Sequence, residues 1–228
     1  KFKIPQKYIF IKNDIKIINF DKTKFNINLG KDKRNKIDFK GQYKVNNKSL
    51  QNINFKNSFT SNNQLITFSV VSDREINIPL INFNTKDKIT KIESELKVDK
   101  NFIRINKFVL QEGNSRINLD KLIFKKKRLE KFNKITVKTF KNNNLNNDFR
   151  IQFGKKITIE GTKYDSSNLT KLLEENNNSD FLKNISKEIS VNINEIDTKV
   201  SDLISNFSLI GNIINGKFSK IVSKGEFY

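Results

Sequence analysis

The chain has 228 residues, of which 36% are hydrophobic, and its formal net charge at pH 7 is +20. It contains no cysteine and no histidine, which excludes disulfides, Cys/His zinc sites and catalysis by cysteine or histidine within these residues. The hydrophobic share is low for a domain with a deep two-layer core. A single sheet needs fewer apolar residues, because half of the side chains of each strand face water.

Apolar and polar residues alternate along most of the chain. Phe25, Ile27 and Leu29 alternate with asparagines, and Ile157 and Ile159 are separated by a threonine. Successive side chains of a strand point to opposite faces, so this pattern predicts strands with one apolar and one polar face. Between residues 24 and 161, strands are predicted at 24–29, 36–45, 51–59, 64–71, 74–80, 89–98, 102–110, 115–124, 132–140, 146–153 and 155–161.

The connections between these segments are short and polar, for example at Gly30–Asn35 and Asn142–Asn144. Asparagine, aspartate and glycine favour tight turns because they tolerate left-handed backbone conformations or bond to the local backbone. Strands joined by tight turns pair in antiparallel fashion. The sequence therefore predicts a mainly β fold, a long, curved antiparallel meander sheet.

The alternation is interrupted near residue 161. Asp165 or Ser166 can cap a helix that carries the leucine-rich segment 169–173, and a second short amphipathic segment follows at 179–185. One or two short α-helices are therefore predicted near 165–186, where they would plug or cap the sheet. Strands are then predicted to resume at 188–196, 200–210 and 217–224.

Charge is distributed unevenly along the chain. Residues 1–160 contain 36 basic and 15 acidic side chains, whereas residues 161–228 contain 8 and 9. We therefore divide the chain into a basic antiparallel β-sheet segment, 1–160, and a segment 161–228 in which a helical insert precedes the closing strands of the same sheet. Because the chain does not begin with methionine, we expect it to be a fragment of a longer protein.

The basic excess makes nucleic acid a partner to consider. A nucleic-acid binder would gather its basic side chains on one face, and its binding would weaken steeply with salt. Specific sites for nucleic acid favour arginine, whereas most basic residues here are lysines. We therefore expect no nucleic-acid partner. The dense charge run Lys125–Arg128 with Lys131 is interpreted as a solvated turn, the alternative being a patch for phosphate or lipid headgroups.

No motif for catalysis is recognisable. Glu93 and Glu95 share one face of a strand, but Lys91 and Lys97 flank them, which is typical of a solvated surface. Serine and lysine occur in adjacent pairs rather than at Ser-x-x-Lys spacing, and the sequence has no P-loop, dinucleotide fingerprint or calcium loop. We expect a non-enzymatic protein without catalytic residues, cofactor or metal.

The last third of the chain has a distinctive order of elements. A strand, a glycine, an aspartate and a leucine-rich helix come first, and they are followed by two strands, a Gly-Lys-Phe sequence, a further strand and a final glycine. The segments in question are Lys156–Gly161, Tyr164–Leu169, Ile189–Ile196, Leu203–Leu209 and Gly216–Phe227. This order resembles the repeating unit of the AsmA-like family of bacterial envelope proteins, and the resemblance covers mainly residues 150–228.

The resemblance implies a β-groove, a long bent antiparallel sheet with an apolar concave face. It further implies phospholipid transport between the inner and outer membranes by a periplasmic protein that is anchored in the inner membrane. The anchor would lie outside this chain, since the longest apolar-rich run, Leu203–Gly216, is too short to span a membrane. The expected partners are phospholipid acyl chains. Candidate lipid-binding residues are Phe25, Ile27, Ile37, Phe39, Phe149, Ile151, Ile157 and Ile159.

A structural β scaffold is the alternative. It would show the same alternation but would close its apolar face with a second layer of its own, leaving no groove of lipid size. The openness and continuity of the apolar face distinguish the two interpretations.

Overall fold

The computed structural model describes residues 17–30, 35–46, 48–126, 128–168, 182–198 and 203–227. Within these ranges the chain is dominated by β-strands and has no α-helix. The helices predicted near 165–186 fall mainly on residues 169–181, outside the described residues. The strands are β1 (Ile18–Leu29), β2 (Asn35–Val45), β3 (Gln51–Phe59), β4 (Asn63–Ser72), β5 (Asn77–Ile78), β6 (Phe83–Asn84), β7 (Thr90–Asp99), β8 (Phe102–Glu112), β9 (Ser115–Lys125), β10 (Arg128–Lys131), β11 (Lys134–Lys141), β12 (Asn144–Phe153), β13 (Ile157–Asp165), β14 (Lys187–Asp197), β15 (Leu203–Ile214) and β16 (Lys217–Phe227).

Fourteen of these strands form one sheet, in the order β1-β2-β3-β4-β7-β8-β9-β11-β12-β13-β14-β15-β16, with β10 pairing β9. All pairs are antiparallel except β13 with β14. The predicted mainly β fold with a long antiparallel sheet is thus confirmed. β1 and β16 are the edges of the sheet, and within the described residues each pairs with a single strand.

The pair β13 and β14 is parallel, with Ile157 opposite Ile189 and Ile159 opposite Val191. Parallel neighbours cannot be joined by a tight turn, because the chain must return to the same end of the sheet. Residues 166–186 make this connection, at the place where the alternation is interrupted. The sequence predicts an insert there but not the change from antiparallel to parallel pairing.

Residues 74–80, predicted as a strand of the main sheet, lie outside it. β4 pairs directly with β7, and the chain between them forms the two-residue strands β5 and β6 around a 3-10 turn at Pro79–Ile81. Proline lacks the N–H that a ladder position needs, and Asn82 takes a left-handed conformation, φ 46°, that reverses the chain. Ile76 and Ile78 consequently pack onto the apolar face of the sheet instead of extending it.

The charged segment that follows β9 also contains a strand. In β10, Leu129 lies opposite Phe124 of β9. Leu129 and the following Phe132 are 6% and 9% exposed. The two apolar side chains attach this segment to the sheet despite the lysines and arginine around them. Within the charge run, Lys125 and Lys126 are exposed, whereas Arg128 and Lys131 belong to β10 and not to the predicted turn.

One register row crosses thirteen strands of the main sheet. Each member is the cross-strand partner of the next, and all members except two serines are apolar. We call this set the central row: Phe25, Phe39, Phe55, Phe68, Ser94, Phe108, Leu119, Ile135, Ile151, Ile159, Val191, Leu209 and Ser223. Neighbouring strands lie about 4.8 Å apart, so the row runs roughly 58 Å along the sheet.

On one side of the central row, the apolar face is covered by residues 76–83, which we call the upper cap. Ile81 and Phe83 of this cap are only 5% and 3% exposed. They form a cluster with sheet residues next to the row, namely Leu110, Ile117, Val137, Phe149, Ile193 and Ile196. The upper cap therefore supplies a second layer over a limited part of the sheet.

On the other side of the row, the face is covered by Leu129, Phe132 and Ile185, which we call the lower cap. They form a second cluster with Leu122, Ile157 and Ile189. In β14, Ile189 of this cluster and Ile193 of the other flank the row member Val191. The two clusters therefore lie on opposite sides of the central row.

Asn147 fastens the upper cap to the sheet from a fully buried position. Its Nδ2 donates to the Ile81 carbonyl oxygen and to Thr139 Oγ1, both at 2.8 Å. Its Oδ1 accepts a hydrogen bond from the backbone N–H of Asp165 at 2.9 Å. One amide side chain thus joins the cap, β11, β12 and β13, and all of its polar atoms have partners.

Tyr164 makes a second link to the upper cap. Its hydroxyl donates to the Leu80 carbonyl oxygen at 2.9 Å, and its ring meets the Phe149 ring edge-on at 5.6 Å between centroids. Burial, and to a smaller degree the nearby charge of Asp165, raises the pKa of Tyr164 to about 12. The hydroxyl therefore stays a neutral donor throughout the physiological pH range.

Replacing Asn147 with alanine is expected to lower the free energy of unfolding by about 2–3 kcal/mol, because buried backbone groups of Ile81 and Asp165 lose their partner. The matched control is Asn144→Ala at an exposed position of the same strand, which should change stability by less than about 0.5 kcal/mol. Urea unfolding of both variants measures the difference. Equal stability of the two variants would show that Asn147 does not anchor the cap.

Candidate functional site

The middle of the central row forms the floor of a groove between the two caps. Five consecutive members pack against both apolar clusters and remain partly exposed: Leu119, Ile135, Ile151, Ile159 and Val191. Their neighbours on the same face are buried; Val137, for example, is 5% exposed and Ile157 7%. Solvent thus reaches a narrow apolar strip that buried side chains flank on both sides.

At the β1 edge, the groove continues into an aromatic surface. Phe25 and Phe39 have ring centroids 5.3 Å apart, and Phe39 stacks on Phe55 at 4.7 Å with an interplanar angle of 16°. Phe20 meets both Phe25 and Phe39 edge-on at 5.5 Å. Neither apolar cluster of the described residues includes a side chain of β1–β4, and Phe25 is 45% exposed. Within the described residues, neither cap extends to this end of the face.

The opposite edge of the sheet is exposed. All residues of β16 that the structure describes are exposed, including Phe218 at 56%, Ile221 at 48% and Phe227 at 73%. Ile221 lies opposite Gly211 of β15. Exposed apolar side chains on an edge strand are typical of a binding site or an aggregation hazard.

The four sequence-predicted residues of β1 and β2 all lie at the β1 edge. Phe25 and Phe39 belong to the central row, and Ile27 lies opposite Ile37 in the next pair of the same face. Ile27 is 66% exposed, whereas Ile37 and Phe39 are partly buried. These four residues form one continuous surface.

The four predicted residues of β12 and β13 lie under or between the caps. Ile151 and Ile159 are partners in the central row. Phe149 belongs to the cluster of the upper cap and Ile157 to that of the lower cap, and they are 9% and 7% exposed. Ile151 and Ile159 are therefore accessible from the groove, whereas Phe149 and Ile157 form its buried flanks.

Sequence reasoning left several floor residues out of the candidate site. Phe55, Phe68, Leu119, Ile135 and Val191 follow the same alternation as the residues that were singled out. These residues can be identified only from the cross-strand register, which requires that each strand is aligned with its neighbours. Any apolar position of a predicted strand was an equal candidate without that alignment.

Glu93 and Glu95 lie on the opposite face of the sheet, and both carboxylates have partners. Glu93 lies 2.6 Å from Lys91 Nζ, and this hydrogen bond holds the pKa of Glu93 below its usual value. Glu95 accepts a hydrogen bond from Asn106 Nδ2 at 2.6 Å. In the part of the chain that the structure describes, no group of three acidic side chains could hold a metal ion. Glu93 and Glu95 thus have the environment of a solvated strand face.

Comparisons with protein-family models, with curated proteins and with solved structures find no match to this chain. The resemblance to the AsmA-like family therefore remains a prediction. Among the described residues, none belongs to a helix with the length and apolar character needed to cross a membrane. The geometry of the groove is the basis for the functional argument.

Cysteine labelling tests whether the floor is accessible, since the chain has no cysteine of its own. Ile135→Cys and Val137→Cys place thiols two residues apart on the same face of β11, one on the partly exposed floor and one under the upper cap. A small maleimide should react several-fold faster with the first variant, and fastest with the exposed control Lys138→Cys. Equal protection of positions 135 and 137 would mean that the groove is closed.

Proposed function

We propose that this chain is a non-enzymatic lipid-binding protein whose central row holds the acyl chains of phospholipids. The observation that carries the proposal is the continuity of the row, in which apolar side chains follow one another from Phe25 to Leu209 with Ser94 as the sole polar member. Acyl chains need a long apolar surface and no directional bonds. Each methylene removed from water contributes about 0.8 kcal/mol, so a surface of this kind suffices for binding.

The arrangement of the caps favours lipid binding over a closed scaffold. A scaffold would cover the row itself, whereas the described caps bury the residues on either side of it and leave floor members such as Ile135 and Val191 partly exposed. The aromatic surface around Phe25 and Phe39 lies outside both clusters. A lipid tail could enter at that edge and lie between the caps, with its headgroup in water.

The proposed setting is the periplasm of a bacterial envelope, with phospholipid passing between the inner and outer membranes. The support for this setting is the resemblance of residues 150–228 to AsmA-like envelope proteins. The long apolar row is consistent with it, because a carrier between membranes must shield acyl chains from water over a distance. Attachment to the inner membrane would be made by a region outside this chain.

A binding assay with a matched pair of variants tests the proposal. Phe39→Asn places an amide in the row, and Lys40→Asn places the same residue next to it on the polar face of β2. The purified chain would be titrated with a fluorescently labelled phospholipid. We expect binding about tenfold weaker for Phe39→Asn, because a half-buried aromatic contact contributes about 1–2 kcal/mol, and unchanged binding for Lys40→Asn.

Circular dichroism of both variants controls for folding. Equal affinity of the two folded variants, or no binding by the unaltered chain, would contradict the lipid-binding proposal. The second result would favour the structural scaffold.

A further inference from the structure

A basic cavity of about 440 Å³ is lined by residues of β8, β9, β10 and β12 and of the turn between β10 and β11. Three cations line it, Arg104 of β8, Lys121 of β9 and Lys131 of β10, and Phe132 and Phe153 form its apolar wall. The lining residues include no carboxylate. The lining of the cavity therefore favours an anion, and its aromatic wall can contact an apolar group attached to that anion.

Some basic residues of the sheet are paired with carboxylates, and the three cations of the cavity are not. Elsewhere, Arg150 binds Glu160 at 2.7 Å, and Lys138 lies 3.1 Å from Asp148. Arg104, Lys121 and Lys131 form no ion pair within the described part of the chain. Three uncompensated charges around one cavity repel one another, and a bound anion would relieve that repulsion.

The nearest candidate for an internal counter-ion has another partner. Asp120 precedes Lys121 in β9, and its carboxylate accepts a hydrogen bond from Asn133 Nδ2 at 2.6 Å. Asn133 itself lines the cavity. Asp120 therefore fixes the turn that follows β10, and it forms no ion pair with the three cations among the described residues.

Arg104 contributes a buried donor without an acceptor. Its Nε is inaccessible to solvent and has no hydrogen-bond partner, while its guanidinium lies 5.4 Å from the centre of the Phe102 ring. A buried donor of this kind costs about 1–3 kcal/mol if it stays unpaired, so such groups in native proteins usually have a reason. The Nε is closed to a ligand, but the two Nη groups of Arg104 have no hydrogen-bond partner among the described residues. These Nη groups are the donors that can meet the acceptor oxygens of a phosphate group.

The apolar wall lies between this cavity and the groove. The rings of Phe132 and Phe153 lie 5.0 Å apart, and Phe132 is a buried member of the lower cap. Phe153 is paired with Ile157, which also belongs to that cluster. A fourth cation stands beside this wall, since Lys187 Nζ is 4.9 Å from the centre of the Phe153 ring. The basic cavity and the apolar floor therefore lie on two sides of one layer of side chains.

We propose that this cavity binds a phosphate group through Arg104, Lys121 and Lys131. The phosphate of a lipid headgroup and free inorganic phosphate share this chemistry. Binding of the lipid form rests on the proposed function, because it requires that the chain takes a lipid as its ligand. The anion site itself does not depend on that function.

Calorimetric titration of the full chain with three probes separates the possibilities. The probes are phosphatidic acid in detergent micelles, diacylglycerol with the same acyl chains, and inorganic phosphate. Arg104→Gln should weaken binding of phosphatidic acid about tenfold to a hundredfold, since a charge-assisted hydrogen bond contributes about 1.5–3 kcal/mol, and should leave diacylglycerol binding unchanged. Arg116→Gln, an exposed arginine of β9 outside the cavity, is the matched control and should leave all three affinities unchanged.

Each result has a distinct meaning. A loss of inorganic phosphate binding in Arg104→Gln, with no binding of either lipid by the unaltered chain, would support the anion site and contradict the lipid-binding function. Equal binding of phosphatidic acid and inorganic phosphate by Arg104→Gln and the unaltered chain would overturn the anion site. Thermal unfolding controls for folding: without phosphate, Arg104→Gln should melt no lower than the unaltered chain, because the substitution removes an unpaired buried donor.

Discussion

Cross-strand register is the constraint on which the rest of this structure depends. Because side chains alternate between faces, a slip of one residue in any pair would turn the apolar side chains of that strand to the polar face. Where the spacing of apolar residues along a strand changes, an irregular backbone position keeps these residues on the apolar face. Three residues with left-handed backbone conformations have no cross-strand partner in the register: Lys22, Lys121 and Asn206, with φ of 45°, 53° and 51°. Because Lys121 is skipped, Leu119 and Leu122 share a face although they are three residues apart.

Close approach of the strands adds a second requirement at Gly161. A Cβ atom there would overlap Phe149, which lies opposite on β12. The glycine leaves room for the Phe149 ring, which then packs on Tyr164 beneath the upper cap. Gly161 therefore links the register of β12 and β13 to the position of the upper cap.

Partial covering of the apolar face follows from a modest supply of hydrophobic residues. With 36% hydrophobic residues, the chain covers its sheet with two short caps over the described region, not with a full second layer. The caps bury the flanks and leave the central row reachable. A closed core would gain stability, whereas the observed arrangement keeps a long apolar surface available to a ligand. The basic cavity behind Phe132 and Phe153 places charge close to that surface.

The strands and their apolar face could be predicted from sequence because alternation is a local signal. The strand predicted at 74–80 was wrong, since Pro79 and Asn82 redirect the chain out of the sheet. The parallel pairing of β13 and β14 was not predictable, because the alternation within each strand is the same for a parallel and an antiparallel neighbour.

Candidate site residues could be predicted to share a face, but their accessibility could not. Phe149 is buried because the upper cap lies over it, and that cap is held by hydrogen bonds between residues far apart in sequence, such as Asn147 and Ile81. Lys131 belongs to a charge run that is visible in the sequence, yet its place beside Arg104 results from the pairing of β8, β9 and β10. Long-range packing thus decides which predicted residues can meet a ligand.

Site-specific photo-crosslinking tests the central claim most directly. A photoreactive amino acid would replace the row members Phe55, Ile135 and Ile159 in turn, and then the adjacent polar-face residues Lys56 and Thr136, in the presence of radiolabelled phospholipid. The lipid-groove account predicts adducts at the three row positions and none at the two neighbours. Adducts of equal yield on both faces, or no adducts at the row positions, would contradict it.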